Sequence, residues 1–259
     1  MAGATYGVGV LACLRPGAPA LTALRLMAIG LLAVVCIPAL AVIDHLPAGG
    51  LLTLGLIMAA LAWSPPVGQL SADAEAVAGE CRFILATPWG LAVFIGPLVA
   101  AVAMAGPFVA LMLILDGRPL IGAIGAAPAA AAAWFGGRAV HRLSRRWLVL
   151  VPSGVVIHDP LLLNDTCRLS PSEVGVVALT APGWRARLER PDVLDITGGA
   201  NRGLWLGLTG PFSPPTTRPG VRRPRGPVRH VFCAPLLRGE AAAALATRGY
   251  ALAEPLGPP

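Results

Sequence analysis

The chain has 259 residues, of which 56% are hydrophobic and 13% are charged, against about 25% charged in an ordinary soluble domain. All 20 basic residues are arginine, which excludes a phosphate-binding loop that depends on lysine. The net charge of +7 is concentrated after residue 137, where there are 16 arginines and 8 acidic residues. This composition predicts an apolar half that contacts lipid and a basic half that contacts anionic groups.

Four uncharged apolar runs come first in the chain, and each is long enough for one crossing of about 30 Å of hydrocarbon. They predict transmembrane helices at about 26–43, 51–67, 89–115 and 120–136. The polar stretch from Gln69 to Arg82 is expected to be a loop or a short surface helix. Residues 116–119 predict a tight turn, and the alanine and glycine of the fourth run favour close helix packing.

Arginines at the end of the fourth run set the predicted orientation. Arg138, Arg142, Arg145 and Arg146 crowd this end, so the positive-inside rule predicts a cytosolic C-terminal domain on a multi-pass protein of the cell membrane. An alternative for the first run is a cleaved signal peptide, because Ala39-Leu40-Ala41 resembles a cleavage site. Since the four runs contain no charge, transport coupled to protons or sodium is disfavoured.

Short strand-like segments separated by turn residues follow Arg146. Pro152-Ser153-Gly154 lies between two of them and predicts a β-hairpin. The strands are expected at 147–151, 155–158, 174–179, 185–189, 193–197, 204–208 and 228–234. An alanine-rich helix is expected from Leu237 to Arg248, ending at Gly249.

The succession Trp147-Leu-Val-Leu-Val-Pro-Ser-Gly-Val-Val-Ile-His-Asp-Pro160 resembles uncharacterised actinobacterial multi-pass membrane proteins. The strands with one C-terminal helix resemble a bacterial pleckstrin-homology-like (PH-like) domain. This resemblance implies a small barrel with a helix closing one end, and it implies no catalytic residues. The expected fold class is therefore an α-helical membrane bundle of about four helices, followed by a small β-rich, PH-like cytosolic domain.

The predicted domains follow from these elements. They are a cytosolic N-terminal segment 1–25, a transmembrane domain 26–137, a basic juxtamembrane linker 138–146, a PH-like domain 147–250 and a tail 251–259. Within the PH-like domain, six prolines and four arginines between residues 210 and 227 predict an extended, flexible loop, because proline prevents ladder pairing.

Seven arginines are the candidate contacts for an anionic lipid or an acidic partner: Arg142, Arg145, Arg146, Arg218, Arg222, Arg223 and Arg225. The expected partners are the bilayer, through anionic headgroups, and a protein of unknown identity. A solvated linker without a partner is the alternative for the proline-rich loop. Nucleic acid is not expected, because these arginines lack interleaved aromatic residues for base stacking.

The candidate catalytic groups do not form a recognisable constellation. His158 and Asp159 are adjacent on a strand and should point to opposite faces, so they are not expected to act as a base and its orienting carboxylate. Ser153 and Cys167 add no partner. The five cysteines stand far apart without zinc-ligand spacing, so no metal or other cofactor is expected.

The sequence therefore predicts a non-enzymatic, membrane-anchored binding or scaffolding module. The alternative is a small transporter or membrane enzyme for an apolar or neutral substrate, which would use helices broken at Pro97, Pro107 and Pro128.

Overall fold

A computed structural model describes residues 16–41, 46–88, 90, 96–181, 191–218, 224 and 226–255. The chain divides into two compact units. The first, called here the helical unit, comprises residues 1–71 and 90–144, and the second, called the β-rich unit, comprises residues 72–89 and 145–259. The β-rich unit is therefore discontinuous in sequence.

Five helices precede the main part of the β-rich unit. They are α1 (Ala18–Ala41), α2 (Leu46–Ala62), α3 (Pro65–Asp73), α4 (Gly96–Leu115) and α5 (Pro119–Leu143). Pro107 and Pro128 lie inside α4 and α5 without ending either helix. The helix breaks on which the transporter hypothesis depended are therefore not found at these two prolines.

The predicted tight turn between α4 and α5 is confirmed. Gly117 has a φ of 75°, its N–H donates to Ile114 O, and the N–H of Arg118 donates to Leu113 O. This pair of bonds is the Schellman motif, which satisfies the last carbonyls of a helix and needs a residue in the left-handed region. Pro119 then starts α5, where its fixed φ suits the first turn.

Small residues bring α4 and α5 into close contact, as their alanine and glycine content predicted. A Cβ added at Gly122 would lie 2.7 Å from Ala110 O and 2.7 Å from Ile114 Cγ1. A Cβ at Gly136 would lie 2.7 Å from Val99 Cγ1. The two helices can pack at this separation because glycine has no side chain at these positions.

The predicted fold class is wrong. The described part of the chain contains six helices and two four-stranded sheets, a mixed α/β arrangement and not a four-helix membrane bundle. In that part, one helix, Pro119–Leu143, is long and apolar enough to cross a membrane, and Ala18–Gly30 of α1 and Leu52–Ala62 of α2 are shorter apolar segments. The prediction of four membrane spans is therefore wrong. The structure also does not support the multi-pass membrane protein, or its location in the cell membrane with a cytosolic C-terminal domain, that those spans implied.

For the run at 51–67, the error has a physical reason. An uncharged run measures composition, whereas a span also needs one continuous helix of about 20 residues. The run at 51–67 contains a helix that ends at Ala62, followed by a turn at Trp63 and Ser64.

The β-rich unit contains two sheets. The first has the order β1 (Cys81–Ile84), β2 (Trp147–Val151), β3 (Gly154–His158) and β4 (Cys167–Leu169), and all its pairs are antiparallel. The second contains β5 (Val174–Leu179), β6 (Val193–Asp195), β7 (Leu204–Phe212) and β8 (Val228–Cys233) in the order β5-β7-β8-β6. Its β6–β8 pair is parallel. Helix α6 (Arg238–Thr247) packs against β5.

Both sheets and α6 contribute to one hydrophobic core. Leu148, Ile157, Leu194, Leu206 and Leu245 are all fully buried in it. The other residues of β2 and β3 point away from this core, as the period of two along a strand requires. The strands predicted at Trp147–Val151 and Val174–Leu179 are confirmed with the same bounds, and so is the β2–β3 hairpin. The strand predicted at 185–189 lies outside the described residues.

The first strand of this unit comes from the polar stretch before α4. Cys81–Ile84 pairs with β2, although a loop or short surface helix was expected there. Helix α3 occupies part of the same stretch. The strand supplies one outer edge of the first sheet, and Arg82 lies on it.

Candidate functional site

Arg146, one of the seven candidate contact residues, is fully buried in the β-rich unit. Its Nε and Nη2 donate to Asp159 Oδ2 at 2.9 and 2.6 Å, and Nη2 also donates to Ile196 O at 3.2 Å. Its Nη1 donates to Ala86 O. Asp159 Oδ1 in turn accepts the backbone N–H groups of residues 161 and 162, both at 3.1 Å.

This ion pair has a structural role. Both side chains have no exposed surface, and a buried pair is tolerated when further hydrogen bonds satisfy the remaining donors and acceptors. Arg146 joins the start of β2, the end of β3 and the carbonyls of Ala86 and Ile196. Because its side chain has no exposed surface, Arg146 is not a contact residue for an external partner.

His158 and Asp159 point in different directions, as their adjacency on a strand predicted. Asp159 is buried with Arg146, whereas His158 is half-buried and its Nδ1 lies 3.2 Å from Thr166 Oγ1. The carboxylate is already occupied by the guanidinium. The pair is therefore not arranged as a base with an orienting carboxylate.

The face of the first sheet that points away from the core carries basic groups at both edges. Strand pairing aligns Arg82 with Val149, Val149 with Val156, and Val156 with Arg168. The next row aligns Ile84 with Trp147 and Trp147 with His158. Arg145 lies two residues before Trp147. We call Arg82, Arg145, His158 and Arg168 the basic face.

The members of the basic face differ in their neighbours. Arg82 forms ion pairs with Glu80 at 2.9 Å and Glu75 at 3.5 Å, and its Cζ lies 4.9 Å from the Trp147 ring centroid. Arg145 and Arg168 are exposed, and neither forms an ion pair with a described residue. These two arginines therefore remain available for an external anion.

The arginines of the basic face influence the pKa of His158. Burial lowers the pKa of His158 below its ordinary value of 6.5, and the positive charge of Arg145 lowers it further. Asp159 acts in the opposite direction, and Arg82 adds a smaller lowering. Burial is thus the largest cause, and Arg145 and Arg82 each add a lowering of this pKa through their positive charge.

The other predicted contact residues are dispersed. Arg142 is half-buried on α5 in the helical unit. Arg218 is half-buried in the β-rich unit, where its Nε donates to Leu163 O at 3.3 Å and its N–H donates to Leu162 O. Arg222, Arg223 and Arg225 lie outside the described residues.

The beginning of the proline-rich stretch is anchored, although an extended and solvated loop was expected over 210–227. Strand β7 continues to Phe212, and Thr217 is almost fully buried beside Leu163. Asn164 contacts Thr216 through both backbone and side chain. Backbone bonding at this point therefore fixes the chain despite its proline content.

Buried thiols do not add a nucleophile. Burial raises the pKa of Cys167 to about 12 and that of Cys233 to about 12. A thiol in this state is mostly protonated at neutral pH, and the thiolate is the reactive form. In the described ranges, no group of three or more His, Cys, Asp and Glu side chains could hold a metal ion.

Sequence reasoning did not select Arg82 and Arg168. A signal for them is present, because each lies on a short strand beside core residues: Arg82 precedes Phe83, and Arg168 lies between Cys167 and Leu169. The alternation places an arginine on the outer face of the sheet. Their alignment across four strands, however, requires the pairing register.

Comparison with family models, with curated proteins and with solved structures finds no match for this chain. Its function therefore has to be inferred from the arrangement of its own residues.

Proposed function

We propose that this protein is a non-enzymatic binding module whose basic face holds the anionic headgroups of a lipid surface. The observation that carries the proposal is the pair of exposed arginines, Arg145 and Arg168, on one face of the first sheet without an ion pair among the described residues. Arginine binds phosphate and carboxylate groups through its planar set of N–H donors. The proposal concerns contact with lipid and no crossing of the bilayer.

Two further observations support binding over catalysis. The carboxylate of Asp159 is held by Arg146, and the buried thiols of Cys167 and Cys233 have pKa values raised to about 12. Asp159 is thus used for stability, and these two buried thiols are kept protonated. The PH-like resemblance stays a prediction, and it favours the same class of function.

Helix α5 supports lipid as the source of the anion. It is the candidate span in the described residues, and only 11% of its most apolar segment is buried inside the protein. Leu120, Ile124 and Phe135 on this helix are more than half exposed. Apolar surface of this extent is costly in water, so contact with lipid would stabilise this helix.

The test is binding of the full-length chain to vesicles. Vesicles with about one third phosphatidylglycerol are compared with vesicles of phosphatidylcholine alone, and the variant carries Arg145→Gln and Arg168→Gln. Each arginine near an anionic surface contributes about 1 kcal/mol, so the double variant should bind anionic vesicles about 30-fold more weakly. The matched control carries Arg202→Gln and Arg229→Gln, two exposed arginines outside the basic face.

The proposal predicts that the control retains wild-type affinity and that salt weakens the wild-type interaction. If the two double variants bind anionic vesicles equally, the basic face does not take part in binding. If wild type binds neutral and anionic vesicles equally, headgroup charge is not recognised.

A further inference from the structure

His158 lies on the basic face beside Trp147 of the neighbouring strand. The centroids of the two rings are 6.1 Å apart, and Arg82 Cζ lies 4.9 Å from the centroid of the same indole ring. Arg82 on β1 and His158 on β3 therefore belong to one cluster, with Trp147 of β2 between them. Arg145 lies two residues before Trp147, and its positive charge also acts on His158.

The ring of His158 can gain a proton without losing its contact on β4. Its Nδ1 lies 3.2 Å from Thr166 Oγ1, and Arg168 follows two residues later in the chain. A hydroxyl can donate to a neutral imidazole and accept from an imidazolium, so this contact suits both protonation states. Nε2 has no hydrogen bond within the described residues, and it is not one of the buried atoms there that lack a partner. Nε2 is therefore open to solvent, from which the ring takes up its proton.

Charged groups from three strands or their ends act on this histidine. Burial lowers the pKa of His158 most, Arg145 lowers it next among the positive charges, and Arg82 adds a smaller lowering. The carboxylate of Asp159 raises this pKa, although it is paired with Arg146. Because the pKa lies below the ordinary value of 6.5, His158 is mostly neutral at pH 7 when no anion is bound.

We infer that His158 makes the basic face sensitive to pH, so that the face binds an anionic lipid surface more tightly as the pH falls below neutrality. This inference rests on the proposed function. An anion paired with Arg145 offsets part of the positive charge that opposes protonation of His158, so the bound state takes up a proton more readily than the free state. Because linkage is reciprocal, the proton strengthens anion binding by the same factor. The gain is present at low pH and is lost as the pH rises above the pKa of His158 in the complex.

The test measures binding of the full-length chain to vesicles with about one third phosphatidylglycerol at pH 7.5 and at pH 5.5, at constant ionic strength. The phosphodiester of this lipid stays charged over that range, so a difference reports on the protein. Wild type should bind about fivefold more tightly at pH 5.5, which is the effect of one added positive charge near an anionic surface. His158→Gln should lose most of this difference. The matched control, His230→Gln, changes a histidine of the second sheet that stacks on Trp205 and should keep it.

The outcomes separate this inference from the proposed function. Equal wild-type binding at the two pH values would overturn the inference and leave the proposed function standing, whereas no binding at either pH would overturn both. A full pH difference in His158→Gln would also overturn the inference. If that variant does not stay folded at pH 5.5, an NMR titration of His158 in wild type decides the question. The pKa of His158 should rise when short-chain phosphatidylglycerol is added, and an unchanged pKa would contradict the inference.

Discussion

Arg145 and Arg146 are neighbours in the chain with opposite surroundings. Arg146 is fully buried and bonded to Asp159, whereas Arg145 is exposed and contributes to the positive potential at His158. Arg145 lies in the turn that precedes β2, whereas Arg146 lies directly before the strand and bonds to groups inside the β-rich unit. Two identical residues therefore differ: Arg146 stabilises the fold, and Arg145 is the one that the proposed function assigns to binding.

His158 gives a prediction at the scale of one residue. Its pKa is lower in the folded protein than in the unfolded chain, so the unfolded chain binds more protons near pH 6. The stability from neutral His158 is complete above its ordinary pKa of 6.5 and is lost as pH falls below that value. In His158→Gln, the free energy of unfolding should fall less steeply between pH 7 and pH 5, as measured by denaturant titration.

An unchanged pH slope in His158→Gln would mean that other groups dominate the acid sensitivity. A matched comparison is His230→Gln, which changes a histidine of the second sheet that stacks on Trp205.

At the scale of elements, short strand-like segments bounded by turn residues predicted β2 and β5 with correct bounds, because this signal depends on neighbouring residues alone. Strand β1 was not predicted, because its partner β2 lies beyond helices α4 and α5 in the sequence. The helices were located as apolar runs, but their membrane assignment was wrong. Apolar composition does not reveal where a helix begins and ends.

The α4–α5 contact gives a prediction about helix packing. Gly122→Ala should destabilise the protein by about 1–3 kcal/mol, because its Cβ would meet the backbone carbonyl of Ala110, which cannot rotate away. A Cβ added at Gly125, on the same helix, would have no atom within 4 Å. Gly125→Ala should therefore stabilise by up to about 1 kcal/mol through helix propensity. Denaturant titrations that give both variants the same sign would contradict this packing.

At the scale of the whole molecule, the numbers of basic and acidic residues do not reveal where the basic face lies. In the described part of the β-rich unit, arginines and acidic residues are nearly equal in number. The basic face thus results from placement, because the pairing register aligns Arg82 and Arg168 across the first sheet, and the ion pairs of Glu75 and Glu80 are with Arg82. The sequence predicted Arg145 as a contact residue, but it could not reveal that Arg146 is buried.

The measurement that most directly tests this division of roles compares Arg145→Gln with Arg146→Gln in the full-length chain. Unfolding free energy and anionic vesicle binding are measured on both. Arg146→Gln leaves Asp159 buried without its counter-charge and should cost about 3–5 kcal/mol of stability. Arg145→Gln should change stability by less than about 0.5 kcal/mol and weaken vesicle binding about fivefold. Unchanged stability in Arg146→Gln, together with unchanged vesicle binding in Arg145→Gln, would contradict the account.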